Sequence, residues 1–507
     1  MPGTPPISIP LIPVERPARK VFPAGTIADG TRRDPDPGRY HVLGGDGQQF
    51  LYVPESQALF SIAESLAAVL RAAEAGDPEL APASRSLVLQ LQAELPQQPL
   101  DERRHADDAL RDVVLHVSQV CNLACVYCYA SELNAVNRLM SERTAHAVIE
   151  HTLGLAMRSD PPRGLASVKF LGGEPTIAWP VIEYCMAEYT ARSRAMGLEP
   201  PRFTMVTNGQ RMTDAMIASA ARYGMYVLVS LDGPALIHDA LRPTKSGKGS
   251  YALAESTLRR LAASGVDVAV ESVYTRQHLE QGIRPQDLVN HFLSLGVREF
   301  QIQPTVGVWH DSDIIDQNEQ VTASFSDAVA SSVRSFRGSD PYLLRGIQFV
   351  LDGFSMRERR RYVCGAGRTF MGINYDGEAF PCYLLESPDL SYGFIGGQWR
   401  EDKYQSVKQA FTQNGKEYHA VCRGCWANEI CQSCLGTSFQ IDPAISKPPA
   451  WFCQFQKKLI ATVLTEIALA RNSGDWQHFV DNLDAHLTPI KIADVRPPRP
   501  HGDNMTA

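Results

Sequence analysis

The chain has 507 residues, a formal net charge of −7, 44% apolar residues and 21% charged residues. This is the composition of an ordinary globular protein, and without a long basic run it does not predict a nucleic-acid partner. The first twenty residues contain several prolines and no basic start followed by an apolar run. No stretch of about 18 apolar residues occurs, so we predict neither a signal peptide nor a membrane partner and expect a cytoplasmic protein.

The N-terminal part of the chain divides into a Pro-rich segment and a small α+β module. Residues 1–38 are predicted to be mobile, and residues 39–109 to form the module. Its predicted elements are strands at Tyr40–Leu43 and Gln49–Val53, an amphipathic helix at Ala58–Ala73, and further helix and linker over Pro78–Asp107. A hairpin followed by helices can bind a leader peptide by adding a strand to its edge, and it can equally serve as a structural cap.

Residues 110–310 show a sustained alternation of short apolar strands and helix-like segments. The predicted strands are Val113–Val117, Ser167–Leu171, Phe203–Thr207, Tyr226–Leu231, Val266–Tyr274 and Glu299–Gln303. The predicted helices are Ser141–Met157, Trp179–Met196, Asp214–Tyr223, Ala252–Ser264 and Pro285–Leu295. This alternation predicts an α/β fold with a parallel sheet covered by helices, and its six units predict a partial (β/α)6 TIM-like barrel. Active sites of such sheets lie at the carboxyl ends of the strands, where the main motifs fall.

The C-terminal part of the chain is predicted to be less regular. Residues 311–359 are predicted to form linker helices, among them a helix over Asp313–Phe336. Residues 360–455 are rich in Gly and Cys and show little helical period. A last helix is predicted over residues 455–472. The C-terminal region, residues 456–507, holds nearly all of this helix and a Pro-rich tail after Thr488.

Eleven cysteines occur in a chain for which no export signal is predicted. The reducing cytosol disfavours disulfides, and these cysteines are too unevenly spaced for a disulfide framework. Three lie in one short loop, seven lie from Cys364 to Cys453, and Cys185 stands alone in a predicted helix. Clustered thiols in a reducing compartment indicate metal binding, whereas Cys185 is predicted to be a small buried apolar residue.

The first cysteine group follows the first predicted barrel strand and reads Cys121-x3-Cys125-x2-Cys128. Three thiolates on a short loop can hold three corners of a 4Fe–4S cubane and leave its fourth iron free. A free iron can chelate the amino and carboxylate groups of a methionine moiety and pass an electron to its sulfonium. The alternatives are a zinc site short of a ligand and a surface cluster of thiols.

This loop, with the aromatic Tyr127 before its third cysteine, resembles that of the radical SAM superfamily. Further motifs follow in the family's order at the ends of the next three strands: Gly172-Gly-Glu-Pro-Thr176, Thr207-Asn-Gly209, Ser230-Leu-Asp-Gly-Pro234, then His238-Asp239 and Arg242. Alone, the glycine-containing motifs would indicate turns. The resemblance covers about residues 110–310 and implies that a 4Fe–4S cluster on the three cysteines cleaves S-adenosylmethionine reductively.

The resemblance also implies residues that bind S-adenosylmethionine. The candidates are Tyr127, Gly172, Gly173, Glu174, Asn208, Ser230, Asp232 and Arg242. Backbone groups of the Gly-Gly-Glu segment would bind the methionine amino group. Ser230 and Arg242 would contact the carboxylate and ribose side, which suits the preference of a guanidinium for paired bonds to a carboxylate.

The second cysteine group resembles the SPASM extension of radical SAM enzymes that modify peptides and proteins. By this resemblance one auxiliary 4Fe–4S cluster would be held by Cys364, Cys382 and Cys434, and the other by Cys422, Cys425, Cys431 and Cys453. Three clusters are then expected in all, and one auxiliary iron lacks a cysteine. That iron could bind a substrate thiolate or backbone amide, or be closed by another side chain of the protein.

The Cys431-x2-Cys434 spacing departs from the C-x3-C that is common in the SPASM family, which puts the ligand assignment of Cys434 in doubt. A zinc ribbon is the alternative for this group, because C-x2-C pairs suit zinc equally well.

The SPASM resemblance implies a peptide or protein substrate. Sulfatase-activating relatives carry an aspartate base directly after the cysteine that corresponds to Cys382, and here that position is Tyr383, a poor base at neutral pH. The segment Val270-Glu-Ser-Val-Tyr-Thr275 resembles the Glu-x-x-Tyr-Thr of thioether-forming and quinohemoprotein-subunit maturases. Glu271 would then face the barrel mouth as a substrate contact or proton acceptor, or be a structural carboxylate. Glu271 and Tyr383 are the candidate catalytic residues.

The predicted function is the cross-linking of a ribosomally made precursor peptide through a thioether or carbon–carbon bond. A 5′-deoxyadenosyl radical would abstract hydrogen from the peptide, and a donor such as flavodoxin or ferredoxin would supply the electron. The alternative enzyme is a sulfatase-type maturase that oxidises Cys or Ser to formylglycine. The non-enzymatic alternative is a zinc-ribbon scaffold or peptide chaperone.

Overall fold

The computed structural model describes residues 38–95, 109–130, 137–305, 319–351, 361–441 and 449–487. The predicted mobile segment up to residue 37, the predicted linker from residue 96, the start of the predicted helix Asp313–Phe336 and the predicted tail lie outside the described residues. Within the described ranges, no helix is both long enough and apolar enough to cross a membrane.

The described elements are twelve strands, fifteen α-helices and four short 3-10 helices. The strands are β1 (His41–Gly45), β2 (Gln48–Val53), β3 (Ala58–Ile62), β4 (Asp112–Ser118), β5 (Ser167–Gly172), β6 (Arg202–Thr207), β7 (Tyr226–Ser230), β8 (Val268–Tyr274), β9 (Glu299–Pro304), β10 (Leu343–Leu344), β11 (Phe370–Ile373) and β12 (Ala379–Phe380). The helices are α1 (Glu64–Glu74), α2 (Pro82–Glu94), α3 (Glu142–Ala156), α4 (Trp179–Ala195), α5 (Asp214–Arg222), α6 (Ala235–Leu241), α7 (Tyr251–Ala263), α8 (Arg276–Glu280), α9 (Pro285–Ser294), α10 (Glu319–Ser335), α11 (Glu401–Thr412), α12 (Ala420–Arg423), α13 (Leu435–Ile441), α14 (Ala450–Asn472) and α15 (Trp476–Leu487).

The main sheet has nine strands in the order β10-β9-β8-β7-β6-β5-β4-β11-β12. Every neighbouring pair is parallel except β11 and β12, and the two end strands do not pair with each other. The fold is therefore an open, partial TIM-like barrel of the α/β class, as predicted. The six predicted barrel strands and the five helices between them are confirmed, with bounds that differ by at most two residues.

The barrel strands bury one row of side chains against the surrounding helices and turn the other row inward. On β4 the outward row is Val113, Leu115 and Val117, each fully buried in the main apolar core. The helices begin where capping side chains allow it. The Ser141 hydroxyl accepts a hydrogen bond from the Thr144 backbone N–H at 3.0 Å, and Thr213 caps α5 in the same way.

Two segments outside the predicted six units add strands to the main sheet. β11 runs parallel to β4, with Phe370 opposite Asp112, and β10 runs parallel to β9. Strands of two to four residues carry too little periodicity to be recognised in a sequence. The pairing of β11 with β4 matters for the site, because Cys364 and Cys382 flank β11 and β12 while the first cysteine loop follows β4.

The N-terminal module is a three-stranded antiparallel sheet in the order β1-β2-β3, followed by α1 and α2. The prediction of a helix over Ala58–Ala73 was wrong in its first part, because residues 58–62 form β3 and pair with β2. The chain reverses between these strands at Gln57, whose φ is +50° and whose N–H donates to Pro54 O. Pairing with a neighbouring strand thus overrides the local helical pattern.

The predicted lack of helical period over residues 360–455 was also wrong, since α11, α12 and α13 lie there and α14 begins at Ala450 rather than at residue 455. Cys453 therefore lies on α14. This helix packs against the N-terminal sheet: Asn472 Nδ2 donates to Gln48 Oε1 at 2.7 Å. His41 of β1 stacks on Trp426, the residue after Cys425, with ring centroids 3.9 Å apart. The N-terminal module thus lies next to the second cysteine group.

Candidate active site

The first cysteine loop is hydrogen-bonded to the end of α6 and to the segment that follows it. The Ala124 N–H donates to Pro243 O at 2.8 Å and the Val126 N–H donates to Leu241 O at 3.0 Å. Leu123 and Thr244 form an isolated antiparallel bridge. These backbone bonds hold the three half-buried thiols of Cys121, Cys125 and Cys128 on one constrained loop at the carboxyl end of β4.

The end of β5 packs directly on the start of this loop. The Gly173 N–H donates to Ser118 O at 2.7 Å, and the Glu174 N–H donates to Val120 O at 2.8 Å. A Cβ atom added at Gly172 would lie 2.2 Å from Ser118 O. Glycine is therefore required at position 172, because the backbones of β4 and β5 approach too closely for any side chain.

We expect Gly172→Ala to push the Ser118–Cys121 segment away from β5 and to lower the cluster content and the S-adenosylmethionine cleavage rate severely. Iron analysis and chromatographic quantification of 5′-deoxyadenosine would measure both. Gly154→Ala is the matched control, because Gly154 lies within α3 and a Cβ there meets nothing within 4 Å. Equal activity in the two variants would contradict the steric argument.

Glu174 joins the ends of β5 and β6. Its carboxylate is 1% exposed and accepts hydrogen bonds from the Thr176 N–H at 3.1 Å, the Thr207 hydroxyl at 2.7 Å and the Asn208 N–H at 2.8 Å. Burial raises the Glu174 pKa, and these donors act in the opposite direction. Asn208 in turn donates to Asn122 Oδ1 at 2.8 Å and lies 3.9 Å from Cys121 Sγ. The Glu174 side chain thus positions Asn208 beside the cysteine loop, and a direct cofactor contact of either residue stays a prediction.

Asp232 and Arg242 form a buried ion pair that contacts Tyr127 of the loop. Arg242 donates from Nε and Nη2 to the two Asp232 oxygens at 2.7 and 3.2 Å, and the Tyr127 hydroxyl donates to the same carboxylate. The Arg242 guanidinium lies 5.3 Å from the centre of the Tyr127 ring, a cation–π distance. Although burial alone would raise it, the facing Arg242 charge holds the pKa of Asp232 below its usual value. The sequence nominated all three for cofactor binding, and the structure brings them together as the support of the loop.

The Asp232 backbone is fixed by two histidines. Its N–H donates to His238 Nδ1 at 3.2 Å, and its carbonyl accepts from His278 Nε2 at 2.7 Å. Burial lowers the pKa of His238 to about 4, so this ring is neutral and its Nδ1 can accept. The His238 of the predicted His-Asp motif therefore holds the end of β7 in place.

The first loop provides a donor set that fits a cluster. Burial raises the pKa of the Cys125 thiol to about 12, while the Arg242 charge acts to lower it. Backbone N–H groups of Leu123 and Ala130 point to the sulfurs of Cys121 and Cys128. Thiols in such a setting become thiolates when they bind metal, and the surrounding donors then stabilise their charge.

Four cysteines of the second group line one cavity, while their role as cluster ligands stays a prediction. A single cavity of about 480 Å³, open solvent included, is lined by all four of Cys422, Cys425, Cys431 and Cys453. The charge of Cys434 acts to raise the pKa of both Cys364 and Cys382, and the charge of Cys364 also acts to raise that of Cys382, so these three thiols lie near one another. Cys185 is fully buried in α4, as predicted.

Across the residues that the structure describes, no three His, Cys, Asp or Glu side chains are arranged as ligands of one metal ion.

The barrel interior between the two cysteine regions carries charge. Glu271 of β8 lies opposite Ser230 of β7 in the sheet register, so both lie on the same face of the sheet. Lys169 of β5 is half-buried; burial lowers its pKa, and the Glu271 charge raises it. Burial raises the pKa of Tyr383 well above its usual value, with the charge of Glu271 adding to the effect. Tyr383 and Lys169 thus lie within electrostatic reach of Glu271, and the position of Glu271 at the barrel mouth stays a prediction.

A second carboxylate lies near Tyr383 and was missed in the sequence. His116 Nδ1 of β4 is 3.4 Å from Glu386 Oε1, and the two side chains are 5% and 13% exposed. The His116 ring also packs on Tyr383, with centroids 5.9 Å apart. His116 and Lys169 could have been found as polar residues that interrupt apolar strands, whereas Glu386 lies in a loop with no pattern to mark it.

We expect Glu386→Gln to raise the unfolding midpoint relative to wild type more at about pH 8.5 than at about pH 5. Burial raises the pKa of Glu386 to about 7, with Asp376 and Glu378 acting in the same direction and a hydrogen bond from Asn374 opposing them. A carboxyl whose pKa is raised on folding stabilises the fold below its unfolded pKa, and that contribution is lost as pH rises through about 7. Thermal unfolding at both pH values measures the difference, and the exposed Glu94→Gln is the control. A shift that is equal at both pH values would contradict the burial of a titrating carboxyl.

Comparison with known proteins gives the class. Residues 115–281 match the family model described as Radical SAM superfamily. The mycofactocin maturase MftC of Mycolicibacterium smegmatis is 25% identical over 342 residues, which are 64% of this chain and 77% of that protein. The PqqA peptide cyclase of Xanthomonas euvesicatoria pv. vesicatoria is 23% identical over 329 residues, which are 64% of this chain and 79% of that protein.

Among solved structures, native anSMEcpe with bound AdoMet is similar with a TM-score of 0.59 and 18% identity, and the match covers 72% of this chain and 99% of that chain. This similarity concerns the fold.

Residues 115–281 are a radical SAM domain, with its three cysteines at the carboxyl end of the first barrel strand. The chain thus contains a radical SAM domain, an enzyme domain that uses S-adenosylmethionine and a 4Fe–4S cluster. Its two curated relatives above are, by their names, a maturase and a peptide cyclase.

Proposed function

We propose that this enzyme cross-links a ribosomally made precursor peptide, through a thioether or carbon–carbon bond. The observation that carries the proposal is the position of the second cysteine group. β11 and β12 join the barrel sheet beside β4, and the charges of Cys128 and Cys382 both act to raise the pKa of Tyr129, so Tyr129 of the first loop lies within electrostatic reach of both cysteine groups. A radical made at the first loop would then form close to a centre able to take up an electron.

The cluster and S-adenosylmethionine, when bound, supply a 5′-deoxyadenosyl radical. The chain's own residues bind and orient the reactants. Asn208, Gly173 and Ser230 lie at the strand ends around the loop and would contact the methionine part, with Arg242 above the Tyr127 ring. The barrel walls exclude water, which would otherwise quench a carbon radical. Glu271 would contact the bound peptide from β8.

Two auxiliary 4Fe–4S clusters are part of the proposal, in a Cys-rich domain over residues 360–455. The shared cavity of Cys422, Cys425, Cys431 and Cys453 supports the four-cysteine site. At the other site Cys364, Cys382 and Cys434 leave one iron open. The Thr437 N–H donates to Cys434 Sγ at 3.3 Å, which suits a thiolate ligand despite the shortened C-x2-C spacing.

The relatives' names, a maturase and a peptide cyclase, support a peptide substrate. The N-terminal module would bind its leader segment at β3, which is an edge strand of the three-stranded sheet. An extended peptide can pair with the free backbone groups of such an edge. Flavodoxin or ferredoxin would serve as the electron donor.

Cross-linking is favoured over sulfatase-type oxidation because of Tyr383. Sulfatase-type relatives carry an aspartate base directly after the cysteine that corresponds to Cys382, and here that position is Tyr383. Burial keeps Tyr383 protonated at neutral pH, so its hydroxyl can donate a hydrogen bond but cannot serve as that base.

The test is coexpression with each short peptide encoded beside the gene, followed by mass spectrometry of the peptide. A cross-link removes a pair of hydrogens and leaves fragment ions absent between the joined residues. Oxidation to formylglycine leaves normal fragmentation and a product that reacts with hydrazide reagents. A hydrazide-reactive product would contradict the cross-linking proposal and support the sulfatase-type alternative.

A further inference from the structure

A lysine is buried against the four-cysteine cavity. Lys416 is 3% exposed and lines this cavity together with Cys422, Cys425, Cys431 and Cys453. Its Nζ donates to Asn428 O at 2.6 Å and to Cys431 O at 2.7 Å. The ammonium is thus fixed by the loop that carries one of the cysteine ligands.

The charge of Lys416 acts on the sulfurs themselves. Burial raises the pKa of Cys431, and the Lys416 charge is the strongest influence in the opposite direction; it also acts to lower the pKa of Cys422. Burying an ammonium is costly unless it faces negative charge. A 4Fe–4S cluster with four thiolate ligands is a net anion, and it would occupy the cavity that Lys416 lines.

We propose that Lys416 is a positioning residue that raises the reduction potential of the four-cysteine cluster; this inference rests on the proposed auxiliary clusters. Reduction adds one negative charge to the cluster, and a fixed cation in a medium of low dielectric stabilises that added charge. In the proposed reaction, bond formation by the substrate radical releases one electron and one proton. Lys416 makes the four-cysteine cluster the favoured final acceptor of that electron.

Lys457 provides a matched comparison. It lines the same cavity from α14 and acts on Cys422, Cys431 and Cys453, but it is only half-buried. Water and salt screen an exposed charge far more than a buried one. Removing the charge of Lys457 should therefore change the potential less than removing that of Lys416.

The experiment is an EPR-monitored redox titration of the full chain, purified anaerobically and reconstituted, in a background with Cys121, Cys125 and Cys128 replaced by Ala. Cys431→Ser identifies the signal of the four-cysteine cluster. Lys416→Gln, which keeps a donor and removes the charge, and Lys416→Met are expected to shift its midpoint to lower potential, and Lys457→Gln to shift it less.

An unchanged midpoint in Lys416→Gln with full iron content would overturn the inference and leave the proposed clusters standing. If Lys416→Met loses the cluster, the midpoint of Lys416→Gln tests the inference. Cys431→Ser should remove one EPR signal from the background variant. If it removes none, the proposed four-cysteine cluster is wrong, and the inference fails with it.

Discussion

Replacing Cys121, Cys125 and Cys128 together by Ala is expected to abolish the formation of 5′-deoxyadenosine. The three cysteines supply every thiolate on the loop that follows β4, and without them no iron is held where S-adenosylmethionine binds. The iron content should fall by about four atoms per chain, the content of one 4Fe–4S cluster, while the auxiliary sites keep theirs. Chromatography of dithionite-reduced reactions and iron analysis measure the two effects.

Cys185→Ala is the control for this experiment. Cys185 is fully buried in α4 and lies in neither cysteine group, so its loss should leave 5′-deoxyadenosine formation intact. Substantial formation of 5′-deoxyadenosine by the triple variant would contradict the assignment of these cysteines to the radical-generating cluster. A loss of all iron from a triple variant that circular dichroism shows to be folded would instead contradict the proposed auxiliary clusters.

The loop can be recognised from the sequence because its chemistry needs three thiolates at fixed spacing. The strand-end motifs could be assigned to the same site for a topological reason: the carboxyl ends of parallel strands meet at one edge of the sheet. The apolar rows of β4 to β9 made those strands predictable. Their order followed from the alternation with helices.

The buried residues that hold the site in place could not be predicted from the sequence in this way. Asp232 and Arg242 were predicted to bind the cofactor. They lie ten residues apart in a loop-and-helix segment, and no sequence pattern indicates that they pair with each other. Glu386 and Lys416 are isolated charges in irregular segments, and their burial depends on tertiary packing. The placement of Cys382 beside the first loop depends on the pairing of β11 with β4, which joins parts of the chain far apart in sequence.

Asp232→Ala is expected to cost about 3–5 kcal/mol of folding free energy, the typical loss when one partner of a buried ion pair is removed. Asp232 is fully buried and accepts bonds from Arg242, from the Tyr127 hydroxyl and from the Val273 N–H at 3.0 Å. The variant leaves the guanidinium buried without its counter-charge. Urea denaturation midpoints measure the loss, and S-adenosylmethionine cleavage should fall because Tyr127 belongs to the cysteine loop.

Asp340→Ala is the control for the Asp232→Ala variant, because it removes one partner of an exposed ion pair instead of a buried one. Asp340 accepts two bonds from Arg298, at 2.8 and 3.1 Å, but the side chains are 71% and 41% exposed. Exposed pairs contribute only about 0–1 kcal/mol, so Asp340→Ala should change the midpoint little. Asp232→Asn tests the charge itself, because it keeps the size of the side chain and an acceptor for the Val273 N–H. If Asp232→Asn keeps the stability but loses cleavage, the carboxylate is needed to hold Arg242 and Tyr127 in place around the loop rather than to keep the barrel folded.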